Sequence, residues 1–411
     1  VQIMAAAGLL LTSVLRIGAG TWGRPIRALL LAVSVPLAGL AGAVGFSRVA
    51  TGAHYPGDVF AVNCPYMGGT HLNDFRLVRP LMRNGKVFVW LASVGHWLDV
   101  GGNVPGNFNA KATESFQEGF RIPPVKLIRG GELQQDIIDI LGANSRVPLS
   151  NWGDLNGQLN ALDLGERRLN ALLDEHGEDT IEAAMAQLSA RAEALMRANI
   201  AALPDGTYSY DDFLDNDGVT DAPLRIALDL TIKGERMTLD FSRSAPPCDG
   251  PLNISRSTTV ACCYVALKHL FTDVPANAGC LAPIDFVIPE TTLLGVSAPK
   301  PVGGYTETIL RVIDTIFGAF AKAAPERANG SPFATINALS LAANRDLLTP
   351  GAPDLAQRRQ AEGRPPGTAP KQQQGPTGPN SRLRRREQSA TWRQDPERRS
   401  FTFAPLGLKS G

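Results

Sequence analysis

The chain has 411 residues, an apolar fraction of 44% and a formal charge of +1. That length and composition allow a sizeable core in one large or two smaller domains, and the balanced charge excludes a strongly basic nucleic-acid binder. Five cysteines, Cys64, Cys248, Cys262, Cys263 and Cys280, are odd in number and form no C-x-x-C pair. They read as free thiols of a reducing compartment rather than as a disulfide framework.

The chain begins with two apolar runs, Met4 to Leu15 and Ala28 to Phe46, the second preceded by Arg24 and Arg27. The second run is about the ~20 residues that a bilayer crossing needs, and its basic flank suits a membrane anchor. Ser47-Arg48-Val49-Ala50-Thr51-Gly52-Ala53-His54-Tyr55-Pro56-Gly57-Asp58 follows. This stretch resembles the S-R-x-x-x-x-x-H-x-x-x-D motif of the type 2 phosphatidic acid phosphatase family. The resemblance implies that His54 is a nucleophile oriented by Asp58, with Arg48 holding phosphate. The upstream motifs of that family are missing, so the three residues read as a remnant without phosphatase activity. The sequence therefore reads as the tail of a membrane phosphatase, residues 1–60, joined near Gly57-Asp58-Val59-Phe60 to a second protein.

The chemistry concentrates in Gly68-Gly69-Thr70-His71-Leu72-Asn73-Asp74 and Gly95-His96-Trp97-Leu98-Asp99-Val100-Gly101-Gly102. Two of only five histidines stand here, each close to a carboxylate and a Gly-Gly pair. Imidazole and carboxylate are the usual ligands of Mn, Zn or Fe, and a catalytic site uses about three of them. His71, Asp74 and His96 make such a set, with Asp99 as an outer carboxylate or a fourth ligand. The glycines allow close backbone approach.

Downstream, Lys86 to Ser93 reads as a strand, buried at Val87 to Leu91. Pro123-Pro124 marks a rigid turn or a substrate-lining loop. Gly130 to Leu141 is expected to be helical. Leu164 to Leu203 carries apolar residues at helical spacing and is expected to divide near Gly177, with Asp179 or Thr180 opening the second helix. Residues Gly206 to Phe241 alternate apolar and polar, which predicts strands with a hairpin turn at Lys233-Gly234-Glu235. The acidic run Asp211, Asp212, Asp215, Asp217 and Asp221 reads as a turn, because EF-hand spacing is missing. Helices are expected over Thr258 to Leu270 and Ile309 to Ala324, the latter preceded by Gly303-Gly304-Tyr305-Thr306-Glu307. Residues 341–411 are rich in Pro, Gly, Gln and Arg and are expected to be a disordered tail.

Asn63-Cys64-Pro65-Tyr66-Met67-Gly68-Gly69-Thr70-His71-Leu72-Asn73-Asp74 closely resembles the N-D-P-Y-x-G-G-T-H-x-x-D signature of the hydantoinase B/oxoprolinase family. The likeness continues over about residues 57–335. It includes His96 to Gly102, Glu118 to Leu127, Gly153-Asp154-Leu155, Asp240-Phe241-Ser242, Gly250 to Asn253 and Gly303 to Thr308. It implies a mixed α/β enzyme domain over residues 61–340, a divalent metal on His71, Asp74 and His96, and ATP bound by a hydantoinase A-type partner subunit. The implied reaction is the opening of a cyclic amide in the cytoplasm. The alternatives are a subunit of an acetone-type carboxylase, or an inactive fused fragment tethered to a membrane through residues 4–46. Glu307 either favours the positive end of its helix or touches substrate, as the resemblance implies. Two positions depart from the pattern: Cys64 replaces an Asp, and Trp97 replaces the second His of an H-H pair and cannot ligate a metal.

Overall fold

A computed structural model describes residues 57–328 and Gly330. The chain divides into two units, Val1–Ile336 and Asn337–Gly411, and every described residue lies in the first. The apolar runs, Arg48, His54 and the tail from residue 341 fall outside the described residues. Among the described residues no helix is long and apolar enough to cross a membrane.

Two sheets, each backed by helices, make a mixed α/β fold. The first is antiparallel and contains β1 (Val59–Val62), β2 (Asp74–Arg83), β3 (Lys86–His96), β4 (Val125–Arg129) and β5 (Glu132–Leu133), in the order β3-β2-β1-β4-β5. β2 is not evident from periodicity, because Arg76, Arg79 and Pro80 interrupt its apolar residues. Its first eight residues are nevertheless buried, since it lies between β1 and β3. Pro80 is tolerated because β1 pairs only with Arg76 to Val78, so no neighbour on that side needs its missing N–H. The β2–β3 hairpin turns on Asn84-Gly85, both at positive φ (52° and 74°), as a tight hairpin turn requires. β3 is half-buried rather than buried: only Leu91 is shut off from water.

Gly130-Gly131 turns the β4–β5 hairpin, so the helix expected from Gly130 begins later, as α1 (Gln135–Ala143). α2 (Pro148–His176) begins well before Leu164. Its first half, rich in Asn and Gly, has poor intrinsic helicity. Packing against the sheet holds it there: Leu155 and Leu162 join Phe75, Leu77, Trp97 and Leu127 in the first core. Gly177 separates α2 from α3 (Glu178–Ala201). α3 passes from one core to the other, with Ile181 in the first and Ala192, Met196 and Ile200 in the second.

The second sheet has the order β6-β7-β8-β9, from β6 (Gly206–Leu214), β7 (Leu224–Lys233), β8 (Arg236–Asp240) and β9 (Ile284–Val287), with only β8 and β9 parallel. One face packs on α4 (Arg256–Leu270) and α5 (Tyr305–Ala323). On the other, Arg225 and Arg243 pair with Asp211 and Asp229 in water. The acidic turn serves the fold: Asp217 accepts from the backbone N–H groups of Val219, Thr220, Asp249 and Gly250. All five cysteines are buried free thiols.

Candidate functional site

The site forms where β2 begins and β3 ends. Register places Asp74 directly opposite His96. An irregularity between Leu81 and Met82 shifts that register by one residue. Without the shift His96 would fall on the opposite face of the sheet from Asp74, because side chains alternate along a strand. The Asp74 N–H donates to the His71 carbonyl at 3.3 Å, which folds His71 back over the start of β2.

The three side chains meet closely. His71 Nε2 lies 3.1 Å from His96 Nδ1, His96 Nδ1 lies 3.2 Å from Asp74 Oδ1, and His71 Nε2 lies 3.4 Å from Asp74 Oδ2. Donors about 2.1 Å from one ion and about 100° apart would be separated by about 3.2 Å, so each of these pairwise contacts, two of them to different oxygens of Asp74, has the length expected between two ligands of one ion. Among the described residues these are the three whose donor atoms cluster in this way. The donor set fits a borderline divalent ion. Burial works to raise the Asp74 carboxyl. Electrostatic attraction to His71 and hydrogen bonds from His71, His96 and Thr70 override it and hold the group well below the usual carboxylate range. Asp74 therefore stands ionised, as a ligand must.

The site is closed on one side and open on the other. The Asp74 and His71 side chains are 0% and 4% exposed, whereas that of His96 is 51% exposed. The Tyr305 ring lies 4.7 Å from the His71 ring and Phe108, at 43% exposure, lies 6.4 Å from it. Three hydroxyls at the start of α4, those of Ser255, Ser257 and Thr258, donate to the Gly69 carbonyl at 3.1–3.2 Å and anchor the loop that carries Thr70 and His71. Arg76 donates to the carbonyls of Cys64 (2.7 Å) and Met67 (3.1 Å), bracing the same loop from the sheet.

Asp99 is not brought into the triangle. Its oxygens accept from the N–H groups of Gly101, Gly106 and Arg146 and from the Arg146 guanidinium. Burial acts to raise its carboxyl, and these donors hold it below its ordinary value. The residue shapes the loop after β3. Glu307 lies half-buried in the first turn of α5, two residues beyond Tyr305. Asp58, read as part of a phosphatase motif, anchors β1 instead: it pairs with Lys126 at 2.9 Å and accepts from the Gly130 N–H.

The two departures from the family motif lie off the triangle. Trp97 is buried, stacked on Phe75 at 3.8 Å, and donates its indole N–H to Gln158. Cys64 packs with Phe60, Val62 and Val78. Thr70, Tyr305 and Glu118 stand inside the quoted motifs, yet residue type and spacing suggested no role for them. Thr70 donates to Asp74, and Tyr305 stacks at a tilt beside His71. Glu118 accepts from the N–H groups of Val302 (3.0 Å) and Gly303 (2.6 Å), just before α5.

The family model for hydantoinase B/oxoprolinase matches residues 31–361, wider at both ends than the motifs alone indicated. The chain is 33% identical over 279 residues to the caprolactamase subunit beta of Pseudomonas jessenii, covering 67% of this chain and 48% of that protein. The crystal structure of the ATP-dependent caprolactamase from the same organism superposes with a TM-score of 0.67 at 31% identity, covering 72% of this chain and 51% of that one. Nucleotide-free acetone carboxylase shares the fold, with a TM-score of 0.65 at 17% identity over 76% of this chain and 44% of that one. The chain thus spans about half the length of the curated relatives it matches. It belongs to the hydantoinase B/oxoprolinase family.

Proposed function

We propose that this chain is the cation-holding part of an ATP-dependent hydrolase that opens the ring of a cyclic amide, with ATP bound by a separate hydantoinase A-type subunit. The observation that carries the reading is the triangle of His71, Asp74 and His96, with donor atoms 3.1–3.4 Å apart at the end of the β2–β3 ladder. Its likeness to a caprolactamase subunit supports a cyclic amide as the substrate class.

A divalent ion held by these residues, Mn, Zn or Fe, would supply Lewis acidity toward an amide carbonyl or a water. The chain's own residues do the rest. The buried side, with His71, Asp74 and Tyr305, excludes water and strengthens every charge interaction there. The exposed edge of His96, with Phe108 6.4 Å from the neighbouring His71 ring, leaves an approach for a flat ring. On this reading Glu307, half-buried in the first turn of α5, would touch substrate, and Asp99 keeps the loop after His96 in shape. Cys64 and Trp97 do not weaken this reading, since neither side chain is among the three donors. The carboxylase alternative has only the shared fold in its favour. Asp58 takes no part, being paired with Lys126.

Metal analysis of the purified chain beside a His71→Ala, His96→Ala double variant tests the proposal. About one Mn, Zn or Fe per chain, lost in the variant, is expected. A wild-type chain without metal in medium supplying all three would overturn it. With the metal in place, lactam-dependent ATP turnover after addition of the partner subunit is the second expected result.

A further inference from the structure

Two buried amides lie between the strand end that carries His96 and the turn that opens α5. Asn73, 2% exposed, immediately precedes Asp74. It grips the residue after His96 twice: its backbone carbonyl accepts from the Trp97 N–H at 2.8 Å, and its side-chain amide donates to the Trp97 carbonyl at 2.8 Å. The same amide nitrogen also donates to Asn107 Oδ1 at 3.1 Å. Asn107, 5% exposed, accepts on that oxygen from the Val100 N–H at 2.9 Å and donates to the carbonyls of Gly101 (2.6 Å) and Glu118 (2.7 Å). A side-chain amide has two lone pairs and two protons, so the hydrogen-bonding capacity of Asn107 is fully used. Its backbone sits at a φ of 65°, a left-handed conformation that asparagine tolerates better than most residues.

The relay continues through Glu118. Its carboxylate accepts from the N–H groups of Val302 and Gly303, and Tyr305, two residues further on, places its ring 4.7 Å from that of His71. The bonds thus run from the residue after His96, through Asn73, Asn107 and Glu118, to the turn whose tyrosine packs on His71. The two imidazoles, 3.1 Å apart at His71 Nε2 and His96 Nδ1, stand at its two ends. The His96 side chain is 51% exposed against 4% for His71, so packing restrains it less and its backbone has to hold it in place. A buried polar network with every member satisfied is rigid, and removing one member leaves buried partners unpaired.

We propose that Asn107, acting through Asn73, is a positioning residue for His96: it ties the end of β3 to the turn before α5 and so fixes the separation of the two imidazoles that a cation would bridge. This inference rests on the metal reading given above. Neither asparagine is among the three donors. Partners outside the ligand set change metal affinity by about 10–100-fold when removed.

The test is calorimetric titration of the full-length chain with Mn²⁺, and separately with Zn²⁺, beside urea unfolding of the same metal-free proteins. Asn107→Gly removes the amide, keeps a residue at ease at positive φ, and is expected to weaken binding by about tenfold. Asn73→Ala removes the side-chain hold on Trp97 and is expected to cost about 10–100-fold. The double variant is expected to bind within about threefold of Asn73→Ala alone, because members of one network are not additive. Asn277→Ala is the control for stability. Asn277 is also buried, at 6% exposure, and its amide bonds to the Leu188 carbonyl and the Gly279 N–H, outside the relay. This variant is expected to lower the unfolding midpoint and keep metal affinity within about twofold of the wild type. Wild-type affinity in Asn107→Gly overturns the inference and leaves the metal site standing. A loss in Asn277→Ala equal to that in Asn107→Gly overturns it also, since affinity would then follow stability alone. Additive losses in the double variant overturn it too, because the two amides would act separately. If Asn107→Gly does not fold, Asn73→Ala decides, and unchanged affinity there overturns the inference. A wild-type chain that binds neither ion overturns both this inference and the proposed function.

Discussion

Two carboxylates almost wholly shut off from water, Asp74 and Glu118, are tuned in opposite directions. Asp74, at 0% exposure, is held ionised in spite of its burial. For Glu118, at 3% exposure, burial wins and pushes the carboxyl from an ordinary 4.5 up to about 7, against the N–H groups of Val302 and Gly303. The difference lies in the partners. Imidazoles can carry charge and Thr70 adds a hydroxyl, whereas Glu118 has neutral backbone dipoles, which do not replace the hydration a buried anion loses. Burial alone therefore does not say what a carboxylate is for. Asp74 stands ionised between two imidazoles, and Glu118 holds a turn.

Removing the ionised group should have the largest effect. Asp74→Asn keeps the shape and loses the charge. Metal affinity is expected to fall by more than about 100-fold, beyond what loss of an outer partner costs, as read by calorimetry. The next effect is a pH dependence of opposite sign in the two regions. The folded-state value of Glu118 is raised, so its contribution to stability is complete below its ordinary value of 4.5 and is lost as pH rises through about 7. That loss is on the order of 3 kcal/mol, and Glu118→Gln should abolish this part of the profile in urea unfolding at a series of pH values. Asp74 runs the other way: its folded-state value is depressed, so its contribution is complete above the ordinary carboxylate range and is lost only in acid.

The clamp at Glu118 can be broken from its other side. A Cβ on Gly303 would stand 2.8 Å from Glu118 Oε1, in a buried site where the carboxylate has nowhere to retreat. Gly303→Ala should cost about 1–3 kcal/mol, the usual range for overpacking, as a lowered unfolding midpoint. If α5 moves with its turn, Tyr305 leaves His71 and metal binding weakens as well. The smallest effect is a control on the motif departure. Trp97→Phe removes the indole hydrogen bond to Gln158 and should lower stability by about 1 kcal/mol with metal affinity unchanged. A large loss of metal there would place Trp97 nearer the site than its stacking on Phe75 allows.

The strands of the second sheet and its helices were legible because their side chains alternate or recur as one-faced burial demands: Leu224 to Ile232 reads as a strand and is β7. The first sheet was harder. β2 carries two arginines and a proline among its apolar residues, and periodicity does not show that Arg76 would be buried to brace a loop. The Asn84-Gly85 pair was the available signal for its hairpin. The start of α2 at Pro148 was hidden by low-propensity residues that only packing on the sheet could make helical.

By itself the amino-acid sequence determined the family likeness and pointed to His71, Asp74 and His96, because histidine is scarce in this chain, chemically specific, and set here among carboxylates and glycines. What only the tertiary structure decided is how side chains of similar type divide their work. The hairpin register turned His96 toward Asp74, the loop after β3 turned Asp99 toward Arg146, and the core took Trp97. The physical reason is that a donor's role depends on which lone pairs its neighbours leave free. Those neighbours, Thr70, Tyr305 and the start of α4, come together only when segments far apart in the chain pack against one another.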